Sequence, residues 1–95
     1  MEVIYVLSYH CKVKSEDIPL LSPPLRMRIQ STILSKLTKH PEIFGKPLRG
    51  SLKNYRSLRV GEYRVVYRLQ NQTVVIVMIA HRSVVYEEVV LRFGL

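Results

Sequence analysis

Three segments rich in β-branched and aromatic residues follow one another in the second half of the chain. They are residues 55–60, 63–70 and 73–81, and they are joined by Gly61-Glu62 and Asn71-Gln72. Two-residue connections between such segments are typical of β-hairpins, and a glycine at the first position favours a type II′ turn. The spacing therefore predicts three consecutive antiparallel strands whose turn lengths fix which residues lie opposite each other.

The predicted register sorts the side chains of these strands onto two faces. It pairs Val60 with Tyr63, Arg59 with Arg64, Tyr55 with Arg68, Ser57 with Val66, Val66 with Val77, Arg64 with Ile79, and Glu62 with His81. One face then carries Arg59, Arg64, Arg68 and His81. The opposite face is apolar and is predicted to be covered by a helix; it holds Leu58, Val60, Tyr63, Val65, Tyr67, Leu69, Val74, Ile76, Met78 and Ala80. Opposed arginines repel each other, so this pair indicates either a compensating anion, such as phosphate, or a role other than stability.

The first half of the chain predicts one strand and one main helix. Residues 3–7 are apolar on both sides, which is typical of a central strand, and residues 15–21 predict a short helical turn. The helix begins at Ser22-Pro23-Pro24, presents apolar residues at helical spacing, and ends at His40-Pro41. Residues 41–53, which contain two prolines and two glycines, predict a loop.

The last segment, residues 83–93, suits either a helix or a strand. Ser83 as a cap and two glutamates in the following turn favour the helix, whereas the valines would also fit a strand. With the helix, the fold class is α+β: a small twisted antiparallel sheet of about four strands, N-terminal helices on one face and a C-terminal helix.

Length and composition bound the kind of protein this can be. The chain has 95 residues, 47 % hydrophobic and 23 % charged, which predicts one folded domain over residues 1–95 and excludes Rossmann, kinase and barrel folds. The lone Cys11 cannot form an internal disulfide, and three scattered histidines lack zinc-ligand spacing, so no metal or cofactor is expected. No signal sequence or membrane span is recognisable, which indicates a cytoplasmic protein.

The unusual feature is the charge, which is +8 with a sequence pI near 10.0 and indicates a polyanionic partner. Eight Lys and Arg side chains, one glutamate and three tyrosines lie between residues 46 and 82. Guanidinium groups bind phosphates and aromatic rings stack on unpaired bases, so this mixture favours RNA. Two alternatives stay open: an ordinary solvated sheet face with tyrosines in the core, or a surface for an acidic protein.

Three blocks of the chain together resemble the RelE/ParE superfamily of bacterial toxins. They are Pro47-Leu48-Arg49-Gly50, the run from Tyr55 to Tyr67 that contains Leu-Arg-Val-Gly-Glu-Tyr-Arg-Val-Val-Tyr, and His81-Arg82-Ser83-Val84-Val85-Tyr86. The match is strong over residues 41–88 and looser before them. The resemblance implies a small α+β fold with helices against a twisted antiparallel sheet.

Similarity to the RelE branch implies a ribosome-dependent endoribonuclease that cuts mRNA and is neutralised by a cognate antitoxin. In the implied reaction a ribose 2′-OH attacks the adjacent phosphodiester without a metal, and cations stabilise the charge on phosphorus. By position, Arg64 would stabilise the transferring phosphate, Arg82 would stabilise charge or assist the leaving oxygen, and Tyr86 would stack on or orient the scissile nucleotide. Lys46, Arg49, Lys53, Arg56 and Arg68 would contact RNA or the ribosome.

The general base is the point where the chain departs from the family pattern. Arg59 stands where the best-studied branch has a lysine, and a guanidinium is too strongly protonated to act as a base. His81 is the residue to test first for that role, against the alternative that it only packs at a strand end. Two rival functions remain: a ParE-like toxin that poisons DNA gyrase by binding, and a non-catalytic module that binds an acidic antitoxin or the ribosome.

Overall fold

A computed structural model describes residues 3–94, apart from the side chain of Ser51. The structure contains five strands: β1 (Val6–Tyr9), β2 (Lys46–Pro47), β3 (Arg56–Val60), β4 (Tyr63–Gln70) and β5 (Thr73–His81). The α-helices are α1 (Pro23–Thr32), α2 (Pro41–Phe44) and α3 (Val85–Phe93). A π-helical segment (Val13–Asp17) and a 3₁₀ turn (Ile18–Leu20) precede α1, a second π-helical segment (Ile33–Leu37) extends it, and a 3₁₀ turn (Gly50–Leu52) follows β2.

The α+β class and the helix at the end of the chain are confirmed, but the sheet is larger than predicted and mixed. Its strand order is β1-β5-β4-β3-β2, with β1 parallel to β5 and the other neighbours antiparallel. The N-terminal strand lies at the edge of the sheet, so the prediction that it is central was wrong. Tyr5, Leu7 and Tyr9 pack on the core, whereas Val6 is 63 % exposed because nothing described covers that side.

Both faces of the sheet carry a core, where the sequence predicted only one. On the first face, α1 and its π-helical extension cover a cluster that includes Leu58, Val65, Tyr67, Val74 and Ile76. On the second face, α3 covers a separate cluster, whose buried members are Leu48, Leu52, Val66, Val77, Met78, Val85 and Val89. The face predicted to hold the arginines is therefore half buried beneath α3.

The predicted register is confirmed for the first hairpin and for the start of the second. Arg59 lies opposite Arg64 and Ser57 opposite Val66, although the β3–β4 ladder begins at Arg56 and does not include Tyr55. Gly61 has φ 60° and Glu62 is not among the residues of positive φ, as a type II′ turn requires.

A β-bulge in the second hairpin overturns the rest of that prediction. The ladder shifts between Val66 and Tyr67, so the pairs beyond it are Val66 with Met78, Arg64 with Ala80, and Tyr63 with His81. The predicted partners were Val77, Ile79 and, for His81, Glu62. A bulge places two residues of one strand opposite one of the other, and a turn length cannot reveal it. As a result Met78 and Ala80 pack in the α3 cluster, whereas Ile79 joins the α1 cluster.

A buried ion pair joins the N-terminal helical segment, β5 and α3. The two guanidinium nitrogens Nη1 and Nη2 of Arg92 donate to the carboxylate of Asp17 at 2.8 and 2.7 Å, and both side chains are only 9 % exposed. The same carboxylate accepts from the backbone N–H of Ile79 at 2.9 Å, and Nη1 also donates to the carbonyl of Val77 at 3.1 Å. Hydrogen bonding to Asp17 raises the pKa of Arg92 above its ordinary value. β1 pairs with β5 only as far as Ile76, so the ion pair binds the β5 backbone directly beyond the last residue that pairs with β1.

Other local predictions are partly confirmed. Ser22 is the N-cap of α1 with proline in the first turn, but Val84, not Ser83, occupies the N-cap position of α3. Residues 41–53 contain α2, β2 and a 3₁₀ turn where a loop was predicted. Part of the predicted first strand, residues 3–5, is not in strand conformation. Within residues 3–94, no helix combines the length and the apolar character that crossing a bilayer requires.

Replacing Asp17 by Asn should strongly destabilise the fold. The substitution leaves the Arg92 guanidinium buried without its counter-charge, so we expect the free energy of unfolding to fall by about 3–5 kcal/mol. Urea unfolding followed by circular dichroism measures this. The matched control is Glu62→Gln, which breaks an ion pair with Arg82 whose side chains are 58–59 % exposed; the expected loss there is below about 1 kcal/mol. Equal losses for the two variants would show that the buried Asp17–Arg92 pair stabilises the fold no more than the exposed pair does.

Candidate functional site

A cleft of about 530 Å³ opens on the α3 side of the sheet. Its walls come from β2 and the residues after it, the second residues of β3 and β4, the end of β5, and the first turn of α3. Five basic side chains from these separate elements line it: Lys46, Arg49, Arg64, His81 and Arg82. This arrangement, called the basic cleft below, has more basic side chains than three other cavities found within residues 3–94.

The electrostatics of the basic cleft favour an anion. No Asp or Glu is among its described lining residues. The side chain of Arg64 makes no hydrogen bond or ion pair within residues 3–94, and Arg64 lies directly opposite Arg59 across the β3–β4 ladder. Like charges at opposed positions destabilise a sheet, and an anion between such groups would relieve the repulsion. Arg64 is therefore available for a phosphate group.

One carboxylate, that of Glu62, pairs with a residue of the cleft although it does not line the cleft itself. Glu62 accepts from Nε of Arg82 at 2.7 Å, and its backbone carbonyl accepts the N–H of the same residue at 2.9 Å. These contacts tie the β3–β4 turn to the residue that follows β5. Because Nε makes the ion pair, the two Nη groups of Arg82 keep their donors for another acceptor.

The floor and mouth of the basic cleft add groups of a different kind. The floor includes the hydroxyl of Ser57, which is buried and has no hydrogen-bond partner in the described part of the chain. At the mouth, Tyr86 on the first turn of α3 is 52 % exposed. A hydroxyl donor and an exposed aromatic ring beside cations suit a phosphate and a base of an unpaired strand. Ser57 was not among the predicted site residues; a serine at a buried strand position is the signal that could have found it.

The structure brings six of the ten predicted site residues together in the basic cleft. These are Lys46, Arg49, Arg64, His81, Arg82 and Tyr86. They come from three separate regions of the sequence, residues 46–49, residue 64 and residues 81–86. The other four predicted residues, Lys53, Arg56, Arg59 and Arg68, lie outside it.

Arg59 and Arg68 share a face with Arg64 but not its surroundings. Arg59 is exposed near the β3–β4 turn, where its Nε donates to the carbonyl of Gly61 at 3.2 Å. Arg68 lies four residues beyond Arg64 on β4, about 13 Å away along the strand. Val66, buried under α3, lies between the two, and Arg68 lines a different cavity together with Tyr55 and other residues. The helix thus divides the predicted arginine face into two separate regions.

The guanidinium of Arg56 makes its hydrogen bonds within the fold. Its guanidinium donates to the carbonyls of Glu42 and Gly45, and its Nε is buried. The neighbouring Tyr67 hydroxyl, also buried, donates to the carbonyl of Pro41, and burial raises the pKa of Tyr67. These bonds hold the segment around α2 against β3 and β4. Lys53 is exposed after the 3₁₀ turn and lines none of the four cavities described.

His81 lies at the boundary between the basic cleft and a smaller cavity. Its ring meets the Tyr63 ring edge to face, with centroids 5.5 Å apart. The Ser83 hydroxyl lies 2.8 Å from Nδ1, and the Ser83 backbone N–H donates to the same nitrogen at 3.1 Å. The bulge in β5 moved this residue from the predicted partner Glu62 to Tyr63.

Comparison with known proteins supports the family that the sequence blocks resembled. The family model described as "ParE toxin of type II toxin-antitoxin system, parDE" matches residues 18–86. Two similar curated proteins come from Mycobacterium tuberculosis. Toxin RelG is 35 % identical over 72 residues, 74 % of this chain and 83 % of that protein. Toxin RelE is 32 % identical over 83 residues, 82 % of this chain and 86 % of that protein.

Among solved structures, the toxin–antitoxin complex RelBE2 of Mycobacterium tuberculosis contains a chain with a similar fold. The TM-score is 0.78 at 31 % identity, over 85 % of this chain and 94 % of that one. The chain therefore belongs to the RelE/ParE superfamily of toxins from type II toxin–antitoxin systems.

Two arginines on neighbouring strands should respond differently to removal. Arg56→Ala removes hydrogen bonds to two backbone carbonyls in a partly buried position, so we expect a loss of about 1–3 kcal/mol in stability. Arg64→Ala removes one member of a repelling pair, and we expect a change within about 0.5 kcal/mol. Chemical denaturation of the two variants measures both. A large loss for Arg64→Ala would show that this residue supports the fold and is not free for a ligand.

Proposed function

We propose that this protein is a ribosome-dependent mRNA endoribonuclease and the toxin of a toxin–antitoxin pair. The single observation that carries the proposal is the convergence of Arg64, Arg82 and Tyr86 with further basic groups in one cleft free of lining carboxylates. The curated relatives named RelG and RelE, at 35 % and 32 % identity, favour the RelE branch. Catalysis would use the 2′-OH of the RNA itself as nucleophile.

The residues of the basic cleft fit the charges that such a reaction develops. Attack of the 2′-oxygen on the adjacent phosphorus adds negative charge to the phosphoryl oxygens, and the 5′-oxygen departs with charge of its own. Arg64, which has no partner within residues 3–94, would bind the phosphoryl oxygens. The free Nη groups of Arg82 would stabilise the departing oxygen, and the exposed ring of Tyr86 would stack on the nucleotide.

The remaining cations around the site would bind the RNA strand. Lys46 and Arg49 line the basic cleft together with Arg82 and would bind the phosphates on either side of the scissile bond. Contacts to backbone phosphates fix position without reading sequence. Lys53, exposed just beyond the cleft wall, and Arg68, at the far end of α3, would extend this contact to the ribosome. Arg56, whose guanidinium donates to two backbone carbonyls, and Arg59, which lies outside the basic cleft, would contribute less.

The partner that silences the toxin would be a cognate antitoxin. The similar mycobacterial structure is a toxin–antitoxin complex, and this chain carries a net charge of +8. An antitoxin with acidic segments would complement that charge, and covering the basic cleft would exclude RNA. We place the protein in the cytoplasm, where ribosomes and mRNA are found.

A second candidate function is inhibition of DNA gyrase by binding. The observation that favours it is the family model itself, whose description names the ParE toxin. On this alternative the basic cleft would bind phosphates without cutting RNA, and cellular mRNA would keep its 5′ ends. A purely binding module, the third alternative, would not arrest growth when expressed alone.

Mapping mRNA 5′ ends on purified ribosomes, with and without the full chain, separates these functions. We expect new 5′ ends at positions in the decoding site, and a loss of about 100-fold in single-turnover cleavage for Arg64→Ala and for Arg82→Ala, since each removes a group that stabilises developing charge. Lys39→Ala is the matched control, because Lys39 is exposed and lines none of the cavities described; it should cleave at the normal rate.

Two outcomes would contradict the ribonuclease. One is unaltered mRNA together with inhibited supercoiling by purified gyrase, which would establish the ParE-like function. The other is full cleavage by both arginine variants, which would show that the basic cleft is not the active site.

A further inference from the structure

The hydrogen bonds around His81 determine which of its ring nitrogens carries the hydrogen. The backbone N–H of Ser83 is 3.1 Å from Nδ1, and a backbone N–H can only donate. Nδ1 must therefore offer its lone pair to Ser83. The Ser83 hydroxyl, 2.8 Å from the same nitrogen, can rotate to donate as well. In the neutral imidazole one nitrogen accepts and the other carries the hydrogen, so the hydrogen lies on Nε2.

This tautomer conflicts with a role as general base. A base in the cleft must present a lone pair to the 2′-OH, but the Nε2 position is already protonated and the Nδ1 lone pair faces Ser83. The same geometry suits a hydrogen-bond donor. Nε2–H makes no hydrogen bond within residues 3–94, and the ring lines the basic cleft together with Arg64 and Arg82.

The ring is held from two sides, so its orientation is fixed before a ligand arrives. Ser83 holds it at Nδ1, and the ring of Tyr63, opposite His81 on β4, packs against it edge to face at 80°. A donor held in place in this way stabilises developing negative charge without reorganising during the reaction. Tyr63 reaches His81 only because the bulge shifts the register of β5.

We propose that His81 is a hydrogen-bond donor to a non-bridging phosphate oxygen through Nε2–H, and that the backbone N–H of Ser83 fixes its tautomer. No proton leaves the imidazole in this role, and the ring returns unchanged after the cleavage. The inference rests on the proposed ribonuclease function for its ligand, whereas the tautomer itself does not depend on that function.

Amide substitutions distinguish a donor from a base. The terminal NH₂ of glutamine occupies about the position of Nε2 and can donate, but an amide cannot act as a base. We expect His81→Gln to keep single-turnover cleavage on ribosomes within about 3-fold of the unmodified chain, and His81→Ala to lose at least about 10-fold, as the loss of one charge-stabilising donor implies. If His81→Gln falls as far as His81→Ala, the donor role is overturned.

The tautomer is measured directly by NMR on the ¹⁵N-labelled full chain, in buffer alkaline enough for a neutral ring. We expect the Nδ1 signal at the position of an unprotonated ring nitrogen and Nε2 at that of a protonated one. Ser83→Ala keeps the backbone N–H and should keep this pattern. A hydrogen found on Nδ1 would overturn the inference, whatever the cleavage assays show.

Failure of this inference and failure of the proposed function give different results. If Arg64→Ala and Arg82→Ala abolish cleavage while His81→Gln and His81→Ala are equally impaired, the ribonuclease stands and the donor role falls. If neither the unmodified chain nor any variant cleaves mRNA, the proposed ribonuclease function is wrong, and so is the proposed role of His81 toward RNA. The NMR pattern separately decides the tautomer.

Discussion

The buried pair between Asp17 and Arg92 is the interaction on which the arrangement of the molecule depends. β1 matches β5 only as far as Ile76, so the backbone of β5 beyond that point needs other partners. The Asp17 carboxylate and the Arg92 guanidinium provide them at Ile79 and Val77. A lone ion in that position would be costly to bury, and the pairing together with the hydrogen bonds to the β5 backbone offsets much of that cost. One interaction thus fixes the N-terminal helical segment, the bulged strand and the end of α3 together.

Fixing the end of α3 also determines where the positive charge can act. With Arg92 anchored at one end, the helix lies over Val66 and the other buried residues of the second cluster. Its first turn then forms one wall of the basic cleft, while its last turn borders a separate cavity that includes Arg68. The surplus of eight charges is therefore not one continuous surface. A compact group of cations surrounds one cleft, and the remaining cations lie on surfaces outside it.

Much of the fold and the site follows from short-range sequence signals. The two-residue turn at Gly61 correctly predicted that Arg59 faces Arg64, helical spacing predicted α1, and the two glutamates of the first turn favoured the final helix. Six of the ten predicted site residues share one cleft, and two of these, Arg64 and His81, lie on strands that the hairpin turns predicted. The role of each of these residues remains a prediction.

The parts that sequence reasoning missed depend on contacts between distant segments. Nothing local marks Asp17 as the partner of Arg92, or β1 as an edge strand, since both depend on which elements meet in three dimensions. In the sequence Arg56 resembles Arg64, since both are arginines of predicted strands. In the structure the guanidinium of Arg56 donates to the backbone carbonyls of Glu42 and Gly45. The bulge in β5 has no glycine or proline to announce it, and it changed the partner of every later residue in the strand.

That bulge also bears on how a site of this kind can change during evolution. Because side chains alternate between the faces of a strand, gaining or losing one residue near Val77 would turn every later residue of β5 to the other face. His81 would then leave Tyr63, and the first turn of α3 would approach the cleft from a different angle. A single-codon insertion or deletion could thus exchange a whole set of site residues at once, whereas substitutions exchange them one by one. Toxins that share this sheet can therefore diverge in target without a new fold.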